Sequence, residues 1–447
     1  MAIPNVRPAA KRFLANYGMV FILILLCVYY SWATWKEQYP AGREAAAQVI
    51  GAAARELGER APVLVVAHEG VEAGEFAAAA ETALRDRGMD VVGVVLGDPQ
   101  GLRGELERRA ATGDAPAAIV ATREAAEWRL MQVLSERFPA MAKVRIFSPQ
   151  RYWWPDFLKR SNLLAIADRI VVIAVIAIGM TMVIITGGID LSVGSLIALS
   201  AVVSTLLVSE VAGAKDATAA GMVLCCLAAV LACGLMGAFS GLMVTAFSIP
   251  PFIVTLAMML IASGMAFILA GGQSIYQVPA SIDWLGRGAS LGGIPNTVLL
   301  MAVLYAGAHV LMTRTVLGRY IYAVGGNVEA ARLSGVPVRR VILFVYAVCG
   351  LLAGVGGVVQ ASQLQSGAPT YGLMYELYVI AAVVVGGTSL AGGQGRILGT
   401  LIGAFIIAVI QNGMNLTGVE SYTQKVVLGA VILGAVLLDM LKKRRSA

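Results

Sequence analysis

Histidine is almost missing from this chain: 447 residues hold two, His68 and His309. Cysteine is sparse as well, and its five copies (Cys27, Cys225, Cys226, Cys233 and Cys349) all sit in apolar runs. These shortages leave no residue set for a zinc site, a His-activated nucleophile or a disulfide framework. The cysteines read as small buried apolar side chains, and His309, inside an apolar span, as a packed or interface-facing histidine. No G-x-x-x-x-G-K-[ST] occurs, and the Gly-rich stretch Gly392-Gly393-Gln394-Gly395-Arg396 lacks both the lysine and a preceding parallel-sheet strand. The chain is therefore not expected to hydrolyse ATP, and no metal or catalytic residue is assigned. Charge is the last scarcity: Asp, Glu, Lys and Arg make up 14% of the residues against 58% hydrophobic ones. That is a membrane-protein composition. The formal charge of +7 comes without aromatic–basic interleaving, so it does not read as a nucleic-acid surface.

The charge that is present is concentrated. Residues 36–160 carry 17 of the 34 basic and 18 of the 27 acidic residues. A soluble domain is therefore expected inside a very apolar chain. It is preceded by residues 1–35, a basic tail with Arg7, Lys11 and Arg12 and an apolar helix over Gly18–Trp35. That helix ends in Tyr29, Tyr30, Trp32 and Trp35, which reads as an aromatic interface belt and not as a signal cleavage site. With the basic tail inside, the insert lies outside, in the periplasm where the cell has one.

Within the insert, Ala41–Arg60 is alanine-rich and helical. Strands are expected over Val63–Ala67, Val91–Leu96, Ala117–Ala121 and Val144–Phe147, with helices over Glu72–Arg87, Gly101–Arg109 and Glu124–Arg137. Such alternation predicts a parallel α/β sheet. His68, Glu69, Asp98 and Thr122 then gather at its carboxyl edge, where ligands bind in such folds. The alternative is that they are loop residues of a docking module. Arg151–Pro155, with Trp153 and Trp154, reads as an interface anchor at the return to the membrane or as a sugar-stacking platform.

Residues 161–447 form the membrane domain. Its spans are expected over about 163–186, 194–211, 221–247, 252–270, 297–312, 341–360, 376–388, 397–413 and 425–438. With the first helix this predicts an all-α polytopic protein of about ten transmembrane helices carrying an inserted soluble α/β domain, both termini inside. The basic loop 313–340, with Arg314, Arg319, Arg332, Arg339 and Arg340 against Glu329 alone, falls inside, as do Lys442, Lys443, Arg444 and Arg445.

Two groups of polar residues stand out. In Ile185–Ser195 (ITGGIDLSVGS), Gly187, Gly188 and Gly194 loosen a helix around Asp190. Such a carboxylate is costly at membrane depth. Asp190, with Ser192, either lines a solute path or caps the next helix. Gln360, Gln363 and Gln365 lie near the end of one span and Gln411, Asn412 and Asn415 near the end of another. They suit a hydroxyl-rich solute or satisfy groups between helices. Inside the basic loop, Asn327 is a good N-cap, Glu329 puts negative charge in the first turn, Gly335 closes the helix and Pro337 stops it. The short helix Val328–Ser334 so defined reads as a docking element or as a turn of a solvated loop.

The stretch GRYIYAVGGNVEAARLSGVPV (Gly318–Val338), ITGGIDLSVGS and AAVVVGGTSLAGGQGRILGTLIGA (Ala381–Ala404) resemble the ribose-type permeases of ABC sugar importers. The resemblance covers the membrane part and the first span but not the insert. It implies a permease subunit without its own cofactor, in the inner (plasma) membrane, moving a sugar or similar small polar solute inward. The implied partners are a second permease chain, an ATP-binding subunit that carries ATP and Mg, an extracytoplasmic solute-binding protein and membrane lipid, with no nucleic acid. It also makes Asn327, Glu329, Ala330, Ala331, Arg332, Leu333, Ser334 and Gly335 the coupling helix against the ATPase. The other readings are an ion-coupled secondary transporter, for which Asp190 and Glu376 are the available carboxylates, and a receptor sensing ligand through the insert.

Overall fold

The computed structural model describes residues 7–58 and 60–444, with side chains over 18–58 and 60–437. The side chains of Arg7, Lys11, Arg12 and the C-terminal Lys442–Arg445 cluster lie outside that description. The chain divides into two compact units, Met1–Thr34 with Asp156–Ala447, and Trp35–Pro155.

Helix α1 (Arg7–Ala33) opens the first unit. The second unit then begins with β1 (Trp35–Gln38), α2 (Gly42–Glu56), β2 (Pro62–His68), α3 (Val71–Arg85), β3 (Asp90–Gly97) and α4 (Pro99–Thr112). It continues through β4 (Ala118–Ala121), three one-turn helices α5 (Arg123–Ala126), α6 (Arg129–Gln132) and α7 (Leu134–Arg137), then β5 (Arg145–Phe147) and β6 (Tyr152–Pro155). Strands β3-β2-β4-β5 form one sheet, paired in parallel throughout. Strand β2 is buried on both faces, so it reads as a continuous apolar run without alternation. Val63, Val65 and Ala67 pack under α2 and α3, while Leu64 and Val66 pack with Leu102, Leu106 and the α5–α7 segment.

One expectation is corrected in this unit. The helix expected over Glu124–Arg137 is three separate turns, because Trp128 and Val133 leave helical backbone angles. That lets Leu130, Met131 and Leu134 all reach the core. Trp35, Trp153 and Trp154, read as a membrane belt and anchor, lie exposed in an antiparallel ribbon: β1 pairs with β6 from Trp35↔Pro155 to Gln38↔Tyr152. The outgoing and returning chain are thus tied together by strand pairing.

The first unit resumes with α8 (Arg160–Ile185), α9 (Val193–Glu210), α10 (Ala219–Ala246), α11 (Pro251–Leu269) and α12 (Asp283–Gly286). A small hairpin, β7 (Ala289–Leu291) and β8 (Ile294–Pro295), leads to α13 (Asn296–Arg314), α14 (Val316–Gly326), α15 (Val328–Leu333) and α16 (Val338–Leu364). Helices α17 (Tyr375–Val385), α18 (Ile397–Leu416) and α19 (Ser421–Arg444) complete it. Among the described residues, seven helices (α8, α9, α10, α11, α13, α16 and α18) are long and apolar enough to cross a membrane, and Gly18–Ala33, Tyr375–Val385 and Ser421–Leu437 are shorter apolar segments. The chain is a helical polytopic membrane protein. Helix α16 packs against α8, α9 and α10, and α8 is buried almost all round from Ile170 to Ile185.

The basic loop expected over 313–340 is mostly helical. Thr315 caps α14 by accepting from the Gly318 amide at 3.2 Å. Gly318, Ile321 and Val324 then form a buried stripe at helical spacing. Past α16 the backbone turns left-handed at Gln365 (φ 50°) and runs without regular structure to Met374. Residues 366–369 are buried there, and Gly367 exchanges two backbone hydrogen bonds with Ile275, at 2.8 and 2.9 Å.

Candidate functional site

Helix α15 has the termini its sequence requires. Asn327 Oδ1 accepts from the Ala330 amide at 2.9 Å. At the other end Gly335 adopts φ +81°, its amide bonds to Arg332 O and the Val336 amide to Ala331 O, each at 3.0 Å. This pair of bonds is a Schellman closure, and Pro337 follows it. Only Ala331 is buried on this helix. Glu329 and Arg332 are exposed and 3.5 Å apart, and Leu333 is 88% exposed. Helix α15 is thus a short helix with both ends fixed that holds Glu329, Arg332 and Leu333 out in solvent.

Behind α15, three separated segments meet. Gly325 leaves no room for a side chain: a Cβ there would overlap Ile185 O and come 2.7 Å from the Gly393 amide nitrogen. The Gly393 amide donates to Ile185 O at 2.8 Å, and Tyr322 Oη donates to Gly395 O at 2.8 Å. Gly392 and Gly393 hold φ of 83° and 71°, which glycine adopts without strain. So the end of α8, the end of α14 and the Gly392–Gly395 loop form one backbone-to-backbone knot at Gly325, two residues before Asn327. Each segment is glycine-rich in the sequence, but their meeting is legible only in space.

Asp190 lies just beyond the α8 end of this knot and is fully buried. Its Oδ1 accepts from the Ser192 amide at 2.9 Å and from Ser192 Oγ at 2.6 Å. This corrects the capping reading: Ser192 is the residue before α9, makes no side-chain cap bond, and Asp190 closes the local turn two residues earlier. Asp190 Oδ2 and Tyr346 Oη are buried and have no partner among the described residues, and a Cβ on Gly188 would collide with Tyr346 Oη.

The amides separate into two kinds. Asn412 and Asn162 exchange hydrogen bonds, 2.8 Å from Asn412 Nδ2 and 3.2 Å from Asn162 Nδ2, which joins α18 to α8. Gln411 is half-buried beside it. Gln363 Nε2 donates to Asp168 Oδ1 at 3.3 Å, and Thr297 Oγ1 donates to the same oxygen. One turn earlier on α16, Gln360 Oε1 is buried without a partner. Asp168 and Thr297 were missed in the sequence because they lie 195 and 66 residues from Gln363. Glu376, at the start of α17, faces α9: a Cβ on Gly194 would overlap its Oε2 and the carbonyl of Gly372.

At the carboxyl edge of the insert's sheet, His68 Nδ1 is 3.2 Å from Thr122 Oγ1 and 3.5 Å from Glu124 Oε2. Thr122 also caps α5, at 3.4 Å from the Ala125 amide, and Asp98 caps α4 at 2.9 Å from the Gly101 amide. Glu69 is exposed. The guanidinium of Arg123 lies 3.5 Å from the centre of the Tyr39 ring. His68, Thr122 and Glu124 thus cluster, while Asp98 is held by its own helix. Among the described residues no group of His, Cys, Asp and Glu is arranged to hold a metal.

Comparison with known proteins follows this geometry. The family described as branched-chain amino acid transport system / permease component matches residues 162–436. The ribose import permease protein RbsC of Escherichia coli K12 is 45% identical over 293 residues, 65% of this chain and 88% of its own length. The protein of the same name from Bacillus subtilis 168 is 45% identical over 291 residues, 64% of this chain and 87% of its own length. The D-allose transport system permease protein AlsC of Escherichia coli K12 is 38% identical over 286 residues, 64% and 85% of the two chains. No solved structure matches the chain. The family match begins at residue 162, after the second unit has ended. On these matches the chain belongs to the ribose-type permeases of ABC importers.

Proposed function

We propose that this permease carries a sugar, of the aldose type that its relatives are named for, inward through a bundle of ten crossings. The three shorter apolar segments supply the crossings beyond the seven long ones. Both chain ends and the segment 314–340 then face the cytoplasm and Trp35–Pro155 faces outward. This orientation rests on the five arginines of 314–340 and the charge-poor segments 271–296 and 414–424. Two copies form the pathway, a binding protein delivers the sugar, and separate ATPase subunits hold ATP and Mg.

In this reading α15 docks on the ATPase through Glu329, Arg332 and Leu333. The observation that carries it is the knot directly behind α15. Displacing Asn327 moves Gly325, and Gly325 has no free space against Ile185 and Gly393. Movement of α15 therefore passes as a rigid displacement to the end of α8, next to the break that holds Asp190 and Ser192. Nucleotide and sugar bias the same two-state element. Gln360, whose buried amide oxygen has no partner among the described residues, is the sugar-facing amide beside the irregular stretch 365–374, whereas Gln363, held by Asp168, and Asn412, held by Asn162, serve packing. Gln411, Asp190 and Ser192 border the moving break.

The test is uptake of labelled ribose by cells that express the permease with its ATPase. With the proton gradient collapsed and ATP maintained, uptake continues. Its loss under those conditions favours the ion-coupled reading, with Asp190 and Glu376 as coupling groups.

A second role belongs to the insert. Its parallel sheet brings His68, Thr122 and Glu124 to the edge where such folds hold ligands, which favours a tethered sugar-binding lobe over a docking module. Residues 35–155 expressed alone then unfold at higher temperature with one class of sugar. A folded domain that no sugar stabilises supports the docking module.

A further inference from the structure

A groove of about 410 Å³ runs between α14 and the first two turns of α16. Val316, Leu317, Val341 and Phe344 line it, and its two side chains with polar ends are Tyr320 and Arg340. Its volume falls within the range of pockets that hold a small ligand, about 300–1,000 Å³. Arg339 and Arg340 stand in the first turn of α16, which contains no acid, and both are exposed. The only carboxylate in the segment, Glu329, lies beside Arg332. Positive charge at the mouth of this groove is therefore uncompensated within the segment.

Apolar walls, a tyrosine and an arginine at the mouth, and a position where a long apolar helix begins are together the profile of a lipid site at the membrane boundary. The proposed function already gives the soluble ATPase its contact on α15 through Glu329, Arg332 and Leu333, and the apolar walls Leu317 and Phe344 suit an acyl chain. We infer that the groove binds one anionic phospholipid, with the phosphate on Arg340 and an acyl chain along Leu317 and Phe344. This rests on the cytoplasmic placement of 314–340 proposed above. The lipid bridges α14 and α16, and α14 runs through Gly325 into the knot and into α15. It thereby sets how firmly α15 is held.

The experiment is native mass spectrometry of the purified full-length permease titrated with phosphatidylglycerol or phosphatidylcholine. The wild type retains phosphatidylglycerol preferentially. Arg340→Gln lowers that retention several-fold without changing phosphatidylcholine, Arg340→Lys keeps it, and Arg332→Gln on α15 is without effect. Leu317→Trp, which fills the groove and keeps the charge, also displaces the lipid. Equal retention of both lipids, or Arg340→Gln and Leu317→Trp both behaving as wild type, overturns the inference. So does loss of affinity for the ATPase subunit in Arg340→Gln with lipid retention unchanged, because the groove then belongs to that protein. The readout needs neither ATPase nor transport, so it fails independently of the permease mechanism.

Discussion

Gly237 and Gly350 meet face to face where α10 crosses α16. A Cβ built on either would lie 3.1 Å from the other's α-carbon and overlap a backbone carbonyl, that of Tyr346 or that of Cys233. The glycines four residues further on behave alike: a Cβ on Gly241 comes 3.0 Å from the α-carbon of Leu343, and one on Gly354 comes 2.8 Å from that of Val230. In lipid, where apolar burial does not drive helices together, such approach maximises van der Waals contact.

Adding a side chain at this crossing should therefore loosen the bundle. Gly350→Ala is expected to destabilise by about 1–3 kcal/mol, as overpacking does. Gly307→Ala on α13, where nothing lies within 4 Å of the new carbon, should stay within about 0.5 kcal/mol of wild type. Thermal unfolding of the two purified variants in one detergent compares them directly.

The insert should lose stability in acid for an identifiable reason. Glu105 accepts from Arg108 at 2.6 and 3.0 Å and from Arg109 at 2.7 Å. Arg108 does most to hold this carboxyl below the ordinary glutamate range, partial burial opposes it and Arg109 adds to it. A carboxyl depressed in the folded state contributes stability that is present above its unfolded value, about 4.3, and lost as pH falls through the folded one. Hydrogen exchange over 90–97 in the intact permease should rise on that acid limb, and Glu105→Gln should flatten the step. Arg109 is buried and also donates to Val92 O at 2.6 Å. Arg109→Ala strands that carbonyl and should cost about 1–3 kcal/mol at neutral pH.

Asn412 separates packing from transport. Because its amide is engaged with Asn162, Asn412→Ala should lower stability by about 0.5–1.5 kcal/mol and leave the preference among sugars unchanged. Gln360→Ala, at the amide whose oxygen has no partner among the described residues, should alter that preference instead. Competition of allose and xylose against ribose uptake reads both effects.

Topology has its own check. Protease added to intact spheroplasts should cut within 41–158 and spare 314–340. Cutting within 314–340 alone would invert the orientation.

Much of this was legible in the chain because the signals are local. The insert's strands appear as runs such as Val63–Ala67, and α15 announces both its ends through Asn327 and Gly335. What stayed hidden depends on distant partners. Helix α14 was read as loop because its buried stripe, Gly318, Ile321 and Val324, includes a glycine and sits among arginines. The ribbon of Trp35 and Trp153 joins strands over a hundred residues apart, so their pairing has no local signal. The knot at Gly325 is invisible in sequence for the same reason: glycines mark where backbones approach but not which backbones. Asp190 and Ser192 were legible together because they lie two residues apart, but the phenol of Tyr346 beside Gly188 had no signal at all.

The claim that α15 couples ATP hydrolysis to movement of the bundle is tested most directly by following both activities in the same proteoliposomes. The permease is reconstituted with its ATPase, either as wild type or as Glu329→Ala/Arg332→Ala, and ATP hydrolysis and sugar uptake are measured together. The account predicts a double variant that assembles and hydrolyses ATP but takes up little sugar per ATP. An unchanged ratio of sugar to ATP would contradict it and place the contact elsewhere on the permease.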